Sequence, residues 1–558
     1  MVWTHGKLHG HGVATAMLAI LAMTAGCPGD VVESLTEGAS ATGESSSVGE
    51  SSTAAMTAEG SSSLDPDSSS GGASSSSDTD PTSSDASASS SSSGAATSST
   101  DTTSSTDTTS TTDTTSTTDT TSTTDTGSSD GTTGDPSECG NGAIEPGETC
   151  DDGDAIDGDG CDADCSASVV TGVATGGQHT CVLLDTGRVR CWGLGTDGQL
   201  GHGTTETIGD DELPSAAPPL DLGGTAVQLA LGYDHSCARL DDGVVRCWGD
   251  AQFGQLGYGN IDDIGDDEPA GAGGAVSLGG PALALVAGYF HTCALLEGGD
   301  VRCWGGAGDG QLGYGNTDVI GDDELPSSVG PVSIGAPVSE IAAGFLHTCA
   351  RSPAGEVRCW GAGTEGQLGR GDLLTIGDDE LPSSVGPIEL GGVASQISLG
   401  GRHSCARLAG DVRCWGSSAQ GQLGRGDVLT IGDDEAPGSV GPIDLDGTAT
   451  AVAGGYFHPC ATLDDGTALC WGFGRLGELG TADTASVGDD ELPTSVPTVD
   501  IGGTIVQLAA ANDHACVLLD DHAVRCWGLG VNGQLGYGDT DSIGDDEVPS
   551  VAGDVAVF

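Results

Sequence analysis

Short runs of hydrophobic residues, separated by polar turns rich in glycine, recur along the chain from residue 169 to its end. The first unit supplies the runs VVTGVA, TCVLL and RVRCW, and the turn GTDGQLGHG follows them. Runs of this length, bounded by glycine-rich turns, are typical of antiparallel β-strands. With a further strand expected near APPLDL, each unit is predicted to be a four-stranded β-meander.

The same unit occurs seven times, and this repetition determines the predicted fold. Each copy has a His-x-Cys string, a short hairpin and then Cys-Trp-Gly, and the first cysteines of the first two copies, Cys181 and Cys237, are 56 positions apart. One small sheet repeated at a fixed period of this size predicts blades around a central axis. Residues 169–558 are therefore predicted to form an all-β, seven-bladed β-propeller.

The cysteines of each copy fix the register of its hairpin. If Cys181 faces Cys191, the loop between the strands is 185–187, and it ends in Gly187, which tolerates the positive φ that such a loop needs. The fifth unit is one residue shorter, and the same pairing leaves the two-residue turn Ala409-Gly410 there. The deletion thus falls in the turn, and the register of the hairpin is kept. In the seventh unit His522 replaces the glycine at the end of the loop.

These pairs are predicted to be disulfide bonds within single blades. Metal ligation, the alternative, would require reduced thiols and a spacing unlike that of usual zinc sites. Closing a loop of about 10 residues stabilises a fold by roughly 2–3 kcal/mol in the chain-entropy model. The predicted bonds are Cys181–Cys191, Cys237–Cys247, Cys293–Cys303, Cys349–Cys359, Cys405–Cys414, Cys460–Cys470 and Cys516–Cys526.

Three elements of the repeat carry a family resemblance: G-x-x-H-[TS]-C-x-L, D-G-x-V-x-C-W-G and G-Q-L-G-x-G. Together they resemble the regulator of chromosome condensation family, which implies a seven-bladed propeller over about 390 residues. The cysteine pair in each blade departs from that pattern and is typical of secreted bacterial members. The sixth unit also departs from it, with Gly477-Glu478-Leu479-Gly480 in place of GQLG and Ala468 in place of valine.

The N-terminal part of the chain predicts export rather than a folded domain. An apolar run at 13–23, too short to span a bilayer, fits a secretory signal at 1–26. The small residues before Cys27 resemble a bacterial lipobox, which implies lipidation of Cys27; an ordinary signal cleaved near Ala25 is the alternative. Residues 27–137, a lipidated Cys followed by a Ser/Thr/Asp-rich segment, are predicted to be a disordered tether.

Residues 138–168 are predicted to be a small acidic module stabilised by two disulfide bonds among Cys139, Cys150, Cys161 and Cys165, in any of three connectivities. The segment resembles a Cys-rich repeat common in myxobacterial secreted proteins, a family without an established function. Its aspartates offer oxygen ligands for calcium; the alternative is that Asp-Gly pairs simply form turns. The candidate calcium ligands are Asp151, Asp152, Asp154, Asp157 and Asp159.

The formal net charge of −68 excludes nucleic acid and anionic membrane surfaces as partners, because both need a basic footprint. A seven-fold Asp-Asp-Glu motif, from Asp210-Asp211-Glu212 to Asp545-Asp546-Glu547, is expected to form an acidic ring. Calcium binding is one interpretation of this ring, and solvated acidic turns are the other. No cofactor is required by any motif.

The repeated histidines and tryptophans are predicted to be structural, because a residue found once per blade most simply belongs to the blade. No catalytic set stands out, so the chain is not predicted to be an enzyme. Positions that differ between blades are better candidates for a ligand surface, since aromatic residues and arginine are favoured in interfaces. They are Tyr233, Tyr289, Phe290, Phe345, Tyr456 and Phe457 before the histidines, and Tyr258, Tyr314, Arg370, Arg425 and Tyr537 after GQLG.

The function predicted from the sequence is that of a cell-surface lipoprotein presenting a propeller as a protein- or glycan-binding scaffold. It is expected to be monomeric and anchored through lipid alone, at the outer membrane or cell surface, with full secretion as the alternative. A secreted inhibitor of an extracellular enzyme is the second function considered, because one family relative is such an inhibitor. A propeller hydrolase or lyase is the third.

Overall fold

The computed structural model describes residues 139–144, 148–153 and 156–558. The predicted signal, the lipidation of Cys27, the tether and the candidate ligand Asp154 lie outside the described residues. Within the described ranges, no helix is both long and apolar enough to cross a membrane.

The propeller consists of seven antiparallel sheets, each made of three strands that are consecutive in the chain. The first strand of each sheet contacts the first strands of its two neighbours, so these strands surround the central channel. The strands are β1 (Val170–Thr175), β2 (His179–Leu184), β3 (Val189–Gly193), β4 (Ala226–Leu231), β5 (His235–Leu240), β6 (Val245–Gly249), β7 (Ala282–Ala287), β8 (His291–Leu296), β9 (Val301–Gly305), β10 (Glu340–Ala343), β11 (His347–Arg351), β12 (Val357–Gly361), β13 (Gln396–Leu399), β14 (His403–Leu408), β15 (Asp411–Gly416), β16 (Ala449–Gly454), β17 (Pro459–Leu463), β18 (Ala468–Cys470), β19 (Ile505–Ala510), β20 (His514–Leu519) and β21 (Val524–Gly528).

The prediction of a regular fourth strand in each blade is wrong. In the first blade the outer segment pairs with β3 only at two isolated bridges, Ile208 with Gly193 and Leu220 with Val189. Between these bridges lies a proline-containing turn, and proline cannot donate to a strand ladder. Such turns are short 3₁₀ helices in six blades and a single helical turn, α1, in the last: Pro214–Ala216, Ala270–Gly273, Pro326–Ser328, Pro382–Ser384, Pro437–Ser439, Pro493–Ser495 and α1 (Pro549–Ala552).

The predicted hairpin register is confirmed. Cys181 lies opposite Cys191, and the three-residue loop ends in Gly187 with a φ of 75°. The short turn of the fifth blade places both Ala409 and Gly410 at positive φ, and His522 adopts a φ of 70° in the seventh blade. A disulfide bond closes each of the seven hairpins between the two cysteines predicted for it.

The small module before the propeller has one disulfide bond, Cys150–Cys161, where two were expected. Cys139 and Cys165 are free thiols in this structure, and their side chains are hydrogen-bonded to each other. The Cys139 thiol also donates to the carbonyl of Asp162, at 3.3 Å. The second bridge is therefore absent although its two cysteines are neighbours.

Neighbouring blades are connected by one repeated hydrogen-bond arrangement, which we call the interblade joint. Between the second and third blades, Trp304 Nε1 and Thr292 Oγ1 both donate to the carbonyl of Gln255, at 2.9 and 3.0 Å. His235 Nε2 lies 2.9 Å from Thr292 Oγ1. Because the hydroxyl gives its proton to the carbonyl, the histidine must donate, and it is neutral with its proton on Nε2.

The tryptophan bond of the joint occurs between all seven pairs of blades, including the pair that closes the ring. The donors and acceptors are Trp192 to Gln534, Trp248 to Gln199, Trp304 to Gln255, Trp360 to Gln311, Trp415 to Gln367, Trp471 to Gln422 and Trp527 to Glu478. The side chains of these tryptophans are completely buried. They are interblade packing residues, as predicted.

Candidate functional site

The end of the central channel where the first strands turn into the second strands forms an open depression, the channel mouth. Each blade contributes three consecutive residues to it: the end of the first strand, a glycine (Ala511 in the seventh blade) and one further residue. Its volume is about 130 Å³, about ten times the ~10–15 Å³ that one water molecule requires. The third residue differs most between blades, and it gives the mouth its chemistry.

Eight of the chain's twelve tyrosine and phenylalanine residues form one continuous cluster at this mouth. All eight side chains are half-buried, so each ring keeps part of its surface in solvent. This aromatic cluster consists of Tyr233, Phe253, Tyr289, Phe290, Phe345, Tyr456, Phe457 and Phe473. The chain is only 4% aromatic, and the cluster gathers most of its tyrosines and phenylalanines in one place.

The rings of the cluster hold one another in place. Tyr233 and Tyr289 are stacked with centroids 3.9 Å apart, and Phe345 meets Tyr289 edge to face at 4.0 Å. Tyr456 meets Phe345 edge to face at 5.2 Å and so extends the cluster to the sixth blade. Each such pair contributes about 0.5–1.5 kcal/mol beyond its buried area, which makes the surface preorganised.

Two glycines make room for this arrangement. A Cβ atom on Gly177 would lie 2.5 Å from Tyr233 Cδ2, and one on Gly401 would lie 2.8 Å from Tyr456 Cδ2. Both tyrosines therefore lie directly over the backbone of the preceding blade. The aromatic cluster depends on glycine in the first and fifth blades at the position that is Tyr, Phe or Asn in the others.

Two carboxylates flank the aromatic cluster, one in the second blade and one in the seventh. Asp234 follows Tyr233, and burial together with the charges of Asp197 and Asp250 raises its pKa to about 7. Asp513, in the seventh blade, is half-buried, and burial raises its pKa to about 6. Asn512 Nδ2 donates to it at 2.6 Å. We call Asp234 and Asp513, with the outer Asp197, Asp250 and Asp263, the acidic sector.

Part of the predicted ligand surface belongs to the channel mouth. Tyr233, Tyr289, Phe290, Phe345, Tyr456 and Phe457 come together there. Two cluster members, Phe253 and Phe473, were not predicted, because they lie in glycine-rich loops that the sequence identifies only as turns. Asp234, Asp513 and Arg402 occupy the place directly before a motif histidine, and their variation from blade to blade was the available signal.

The three tyrosines that follow GQLG do not join this cluster, and their role as ligand residues stays a prediction. The hydroxyl of Tyr258 accepts from the amide of Cys247 and donates to its carbonyl, both at 3.0 Å. Tyr314 and Tyr537 bind the backbone of Cys303 and Cys526 in the same way. Their hydroxyls are committed to their own blades, and burial raises the pKa of Tyr537 to about 12.

The arginines at the same repeat position as these tyrosines are also bound locally. Arg370 Nη2 lies 3.5 Å from a carboxylate oxygen of Asp372, and Arg425 Nη1 donates to the carbonyl of Gly441 at 3.2 Å. Neither residue lines the channel mouth. Part of each side chain is accessible to solvent, and the role of both arginines as ligand residues stays a prediction.

The motif histidines are fully buried, and burial lowers the pKa of each to about 3 or 4. Each histidine that contacts a serine or threonine faces a hydroxyl whose proton is already given to a backbone carbonyl. A hydroxyl in this state, with no solvent access, is not an activated nucleophile. The pairs act in the interblade joints.

The acidic turns lie where one blade meets the next. The amide of Gly203, after the first GQLG, donates at 2.9 Å to the carbonyl of Gly265, directly before Asp266-Asp267-Glu268. Each Asp-Asp-Glu set brings three carboxylates close together, and no ion is present. The hydrogen bond with Asp267, with partial burial, raises the pKa of Glu268 to about 7. Calcium binding at these turns stays a prediction.

In the small module the aspartates act mainly as backbone acceptors. The carboxylate of Asp151 accepts from the amides of Asn141, Gly142 and Gly153, at 2.8–3.2 Å. Asp152 accepts from Cys161 and Asp157 from Ala163, both at 2.9 Å. Asp159 interacts with Arg190 of the first blade. These bonds explain the aspartates as turn residues, and calcium there also stays a prediction.

The chain is similar in sequence to proteins of one repeat family. The family model described as the regulator of chromosome condensation (RCC1) repeat matches residues 170–199, 226–255, 283–311, 338–367 and 505–534, and a second model of that description matches 186–239, 354–407 and 465–518. The ultraviolet-B receptor UVR8 of Arabidopsis thaliana is 32% identical over 371 residues, which cover 66% of this chain and 79% of the receptor. The mitochondrial RCC1 domain-containing protein RUG3 of the same plant is 30% identical, over 57% of this chain and 68% of its own length.

Solved structures agree on the fold. Human WBSCR16 superposes with a TM-score of 0.52 at 20% identity, over 63% of this chain and 87% of that one. Prp20p of Saccharomyces cerevisiae gives the same TM-score at 19% identity, over 67% and 85%. At this level of identity the likeness concerns the propeller architecture alone.

Proposed function

Because this chain belongs to the regulator of chromosome condensation repeat family, whose propellers can serve as protein-binding scaffolds, we propose that it binds a partner protein through its channel mouth. The aromatic cluster is the observation that carries the proposal. Large, preorganised and partly exposed aromatic surfaces are favoured as binding anchors, because they bury area at little cost in side-chain entropy.

The sequence supports display of this propeller at the cell surface. Cys27 has no partner in the predicted disulfide scheme, and it follows small residues behind a short apolar run, as a lipidated cysteine does. The acidic, hydroxyl-rich segment after it would serve as a spacer. A propeller held away from a membrane by such a spacer would present its channel mouth to macromolecules outside the cell.

A glycan is the second candidate, because aromatic faces next to carboxylates also suit sugar rings. A secreted inhibitor remains the alternative of a different class. It is less favoured, because a lipid anchor would restrict the diffusion on which an inhibitor depends.

The proposal is tested with the full protein immobilised and exposed to cell-surface extracts, followed by mass spectrometry of what is retained. We expect a discrete protein that is retained at least tenfold less by the Tyr289→Ala/Phe345→Ala variant. Val551→Ala is the matched control, since this residue is 71% exposed and lies outside the channel lining. Circular dichroism and the melting temperature establish that the variants are folded.

Equal retention by the aromatic variant and the control would contradict the assignment of the channel mouth. Loss of the retained material when free sugars are added would instead favour a glycan as the ligand.

A further inference from the structure

The channel mouth combines aromatic rings with carboxylates that no cation neutralises. The four salt bridges of the described residues involve Arg351, Arg370, Arg402 and Arg525, and none of them reaches the acidic sector. Asp234 lies in the second blade and Asp513 in the seventh, on either side of the first blade, where Tyr233 covers Gly177, and both carboxylates act electrostatically on Tyr233. The part of the channel mouth lined by Tyr233 and Tyr289 and flanked by these carboxylates, which we call the gap, is therefore negative and lined by aromatic rings.

We infer that this gap receives an arginine or lysine side chain of the partner protein. The inference rests on the proposed function and names the chemistry of the partner at that site. A cation bound in this gap would be attracted by the flanking carboxylates and by the aromatic rings that line it. Charge complementarity is the argument for this occupant rather than a neutral one.

An arrangement of this kind already exists around Arg402 of the fifth blade, which lies between Glu365 of the fourth blade and Tyr456 of the sixth. Arg402 Nη1 is 2.9 Å from Glu365 Oε1, and the arginine side chain is hydrogen-bonded to Tyr456. A guanidinium thus rests between a tyrosine and a carboxylate at the rim of the mouth. The opposite side has the tyrosines and the carboxylates but lacks the guanidinium, and the partner would supply it.

The acidic sector extends outward from this gap. Asp197 and Asp250 act electrostatically on Asp234, Asp263 acts on Asp250, and Asp266 of an acidic turn acts on Asp263. With a net charge of −68, the molecule would attract a basic segment over a long range, and the mouth would fix its position. Long-range attraction is unspecific, so only the gap itself can give the binding a defined location.

The test uses the full protein and two peptides of equal length, hexa-arginine and hexa-citrulline, titrated calorimetrically at 0.15 M salt. Citrulline keeps the shape of arginine without its charge. We expect hexa-arginine to bind and hexa-citrulline not to bind. The Asp234→Asn/Asp513→Asn variant should weaken binding at least tenfold, whereas the control Asp211→Asn/Asp323→Asn, with the same charge change in exposed acidic turns, should weaken it less than twofold.

Equal weakening by both double variants would overturn the inference, because it would reduce the binding to unspecific attraction. Binding of hexa-citrulline, or no binding of either peptide, would overturn it as well. A melting temperature at or above that of the parent protein shows that loss of binding by Asp234→Asn/Asp513→Asn is not unfolding. A captured partner that responds to Tyr289→Ala/Phe345→Ala but not to Asp234→Asn/Asp513→Asn would sink this inference and leave the proposed function intact.

Discussion

A single side chain distinguishes the joint between the sixth and seventh blades. Glu478 is completely buried where the other six blades have glutamine, and its Oε2 accepts from the amide of Leu476 at 2.7 Å. Its Oε1 has no hydrogen-bond partner among the described residues. Burial raises the pKa of this carboxyl to about 8, so near neutral pH it carries a proton inside the protein.

Replacing Glu478 with glutamine is expected to stabilise the protein increasingly as the pH rises. The folded state binds the proton more tightly than the unfolded chain, whose glutamate has a pKa near 4.5. Wild-type stability is therefore lost between about pH 4.5 and 8, by up to about 1.4 kcal/mol per pH unit. Thermal unfolding of Glu478→Gln and wild type at pH 5, 6.5 and 8 measures the growing difference.

The converse variant, Gln311→Glu in the third blade, is the matched control. It should lose stability at pH 8 and retain most of it at pH 5. A difference that does not depend on pH in either variant would contradict the assignment of a buried, protonated carboxyl.

For single residues, the sequence predicts the role of a side chain where that role depends on neighbours close in the chain. Gly187 could be placed at the end of its hairpin loop because the disulfide and the turn are both local. Tyr258 could not be assigned, because its hydroxyl partner is the backbone of Cys247, eleven residues away in the chain. A side chain that varies between blades looks the same in the sequence whether it faces a ligand or its own backbone.

Among the larger elements, the interblade joints are not all equal. In five joints a serine or threonine connects a histidine to the carbonyl of the preceding blade. Pro459 and Ala515 stand at the hydroxyl position in the other two joints, and the facing Nε2 atoms of His403 and His458 are buried without partners. The sixth blade therefore has an incomplete joint on both sides.

Restoring a hydroxyl at one of these joints should strengthen the ring. In Ala515→Ser the new Oγ can donate to the carbonyl of Glu478 and accept from His458 Nε2, as its equivalents do in the complete joints. We expect a gain of about 0.5–1.5 kcal/mol in the free energy of unfolding, measured by chemical denaturation.

The reverse change provides the comparison. Ser404→Ala should cost about 1–3 kcal/mol, because it leaves the buried Nε2 of His347 unpaired. If Ala515→Ser destabilised the protein while Ser404→Ala had no effect, the joints would not be what holds neighbouring blades together.

The elements themselves were predictable to different degrees. Strands β1, β2 and β3 follow from the first repeat almost residue by residue, because alternation, cysteine pairing and the Gly187 turn agree. The fourth strand could not be predicted correctly, because Pro214 and the prolines after it interrupt a run whose composition otherwise suits a strand. The joints connect residues 57 positions apart, such as His235 and Thr292, and a repeat pattern does not identify such partners.

On the scale of the whole molecule, two sets of groups make stability depend on pH in opposite directions. The seven histidines have pKa values lowered to about 3 or 4, so their contribution is complete above pH 6.5 and is lost as the pH falls. Carboxyls such as Asp234, Glu268 and Glu478 have raised pKa values, so their contribution is complete at low pH and is lost as the pH rises.

The melting temperature is therefore expected to have a maximum near pH 6–6.5. Below it the decline should be steep, because each buried histidine can contribute up to about 1.4 kcal/mol per pH unit. Above it the decline should be shallower, since the acidic-turn carboxyls are at most half-buried and stay in contact with solvent. Calorimetric scans from pH 4 to 9 measure both limbs.

Added salt distinguishes the contribution of the histidines from that of the carboxyls. In 1 M sodium chloride the alkaline limb should flatten, because salt screens exposed charges, while the acid limb should persist, because the histidines are buried. An acid limb that salt abolished would contradict the assignment of that limb to the histidines.

Every cystine of the propeller joins two neighbouring strands of one hairpin, and none reaches the next blade. A protease that cuts after Arg188 would leave its two products tethered through Cys181–Cys191, whereas a cut after Arg370 would leave two chains with no shared covalent bond. Whether the products of one cleavage stay covalently linked thus depends on where the chain is cut. Outside the hairpins, hydrogen bonds of the interblade joints and the packing of the shared hydrophobic core keep the severed parts together.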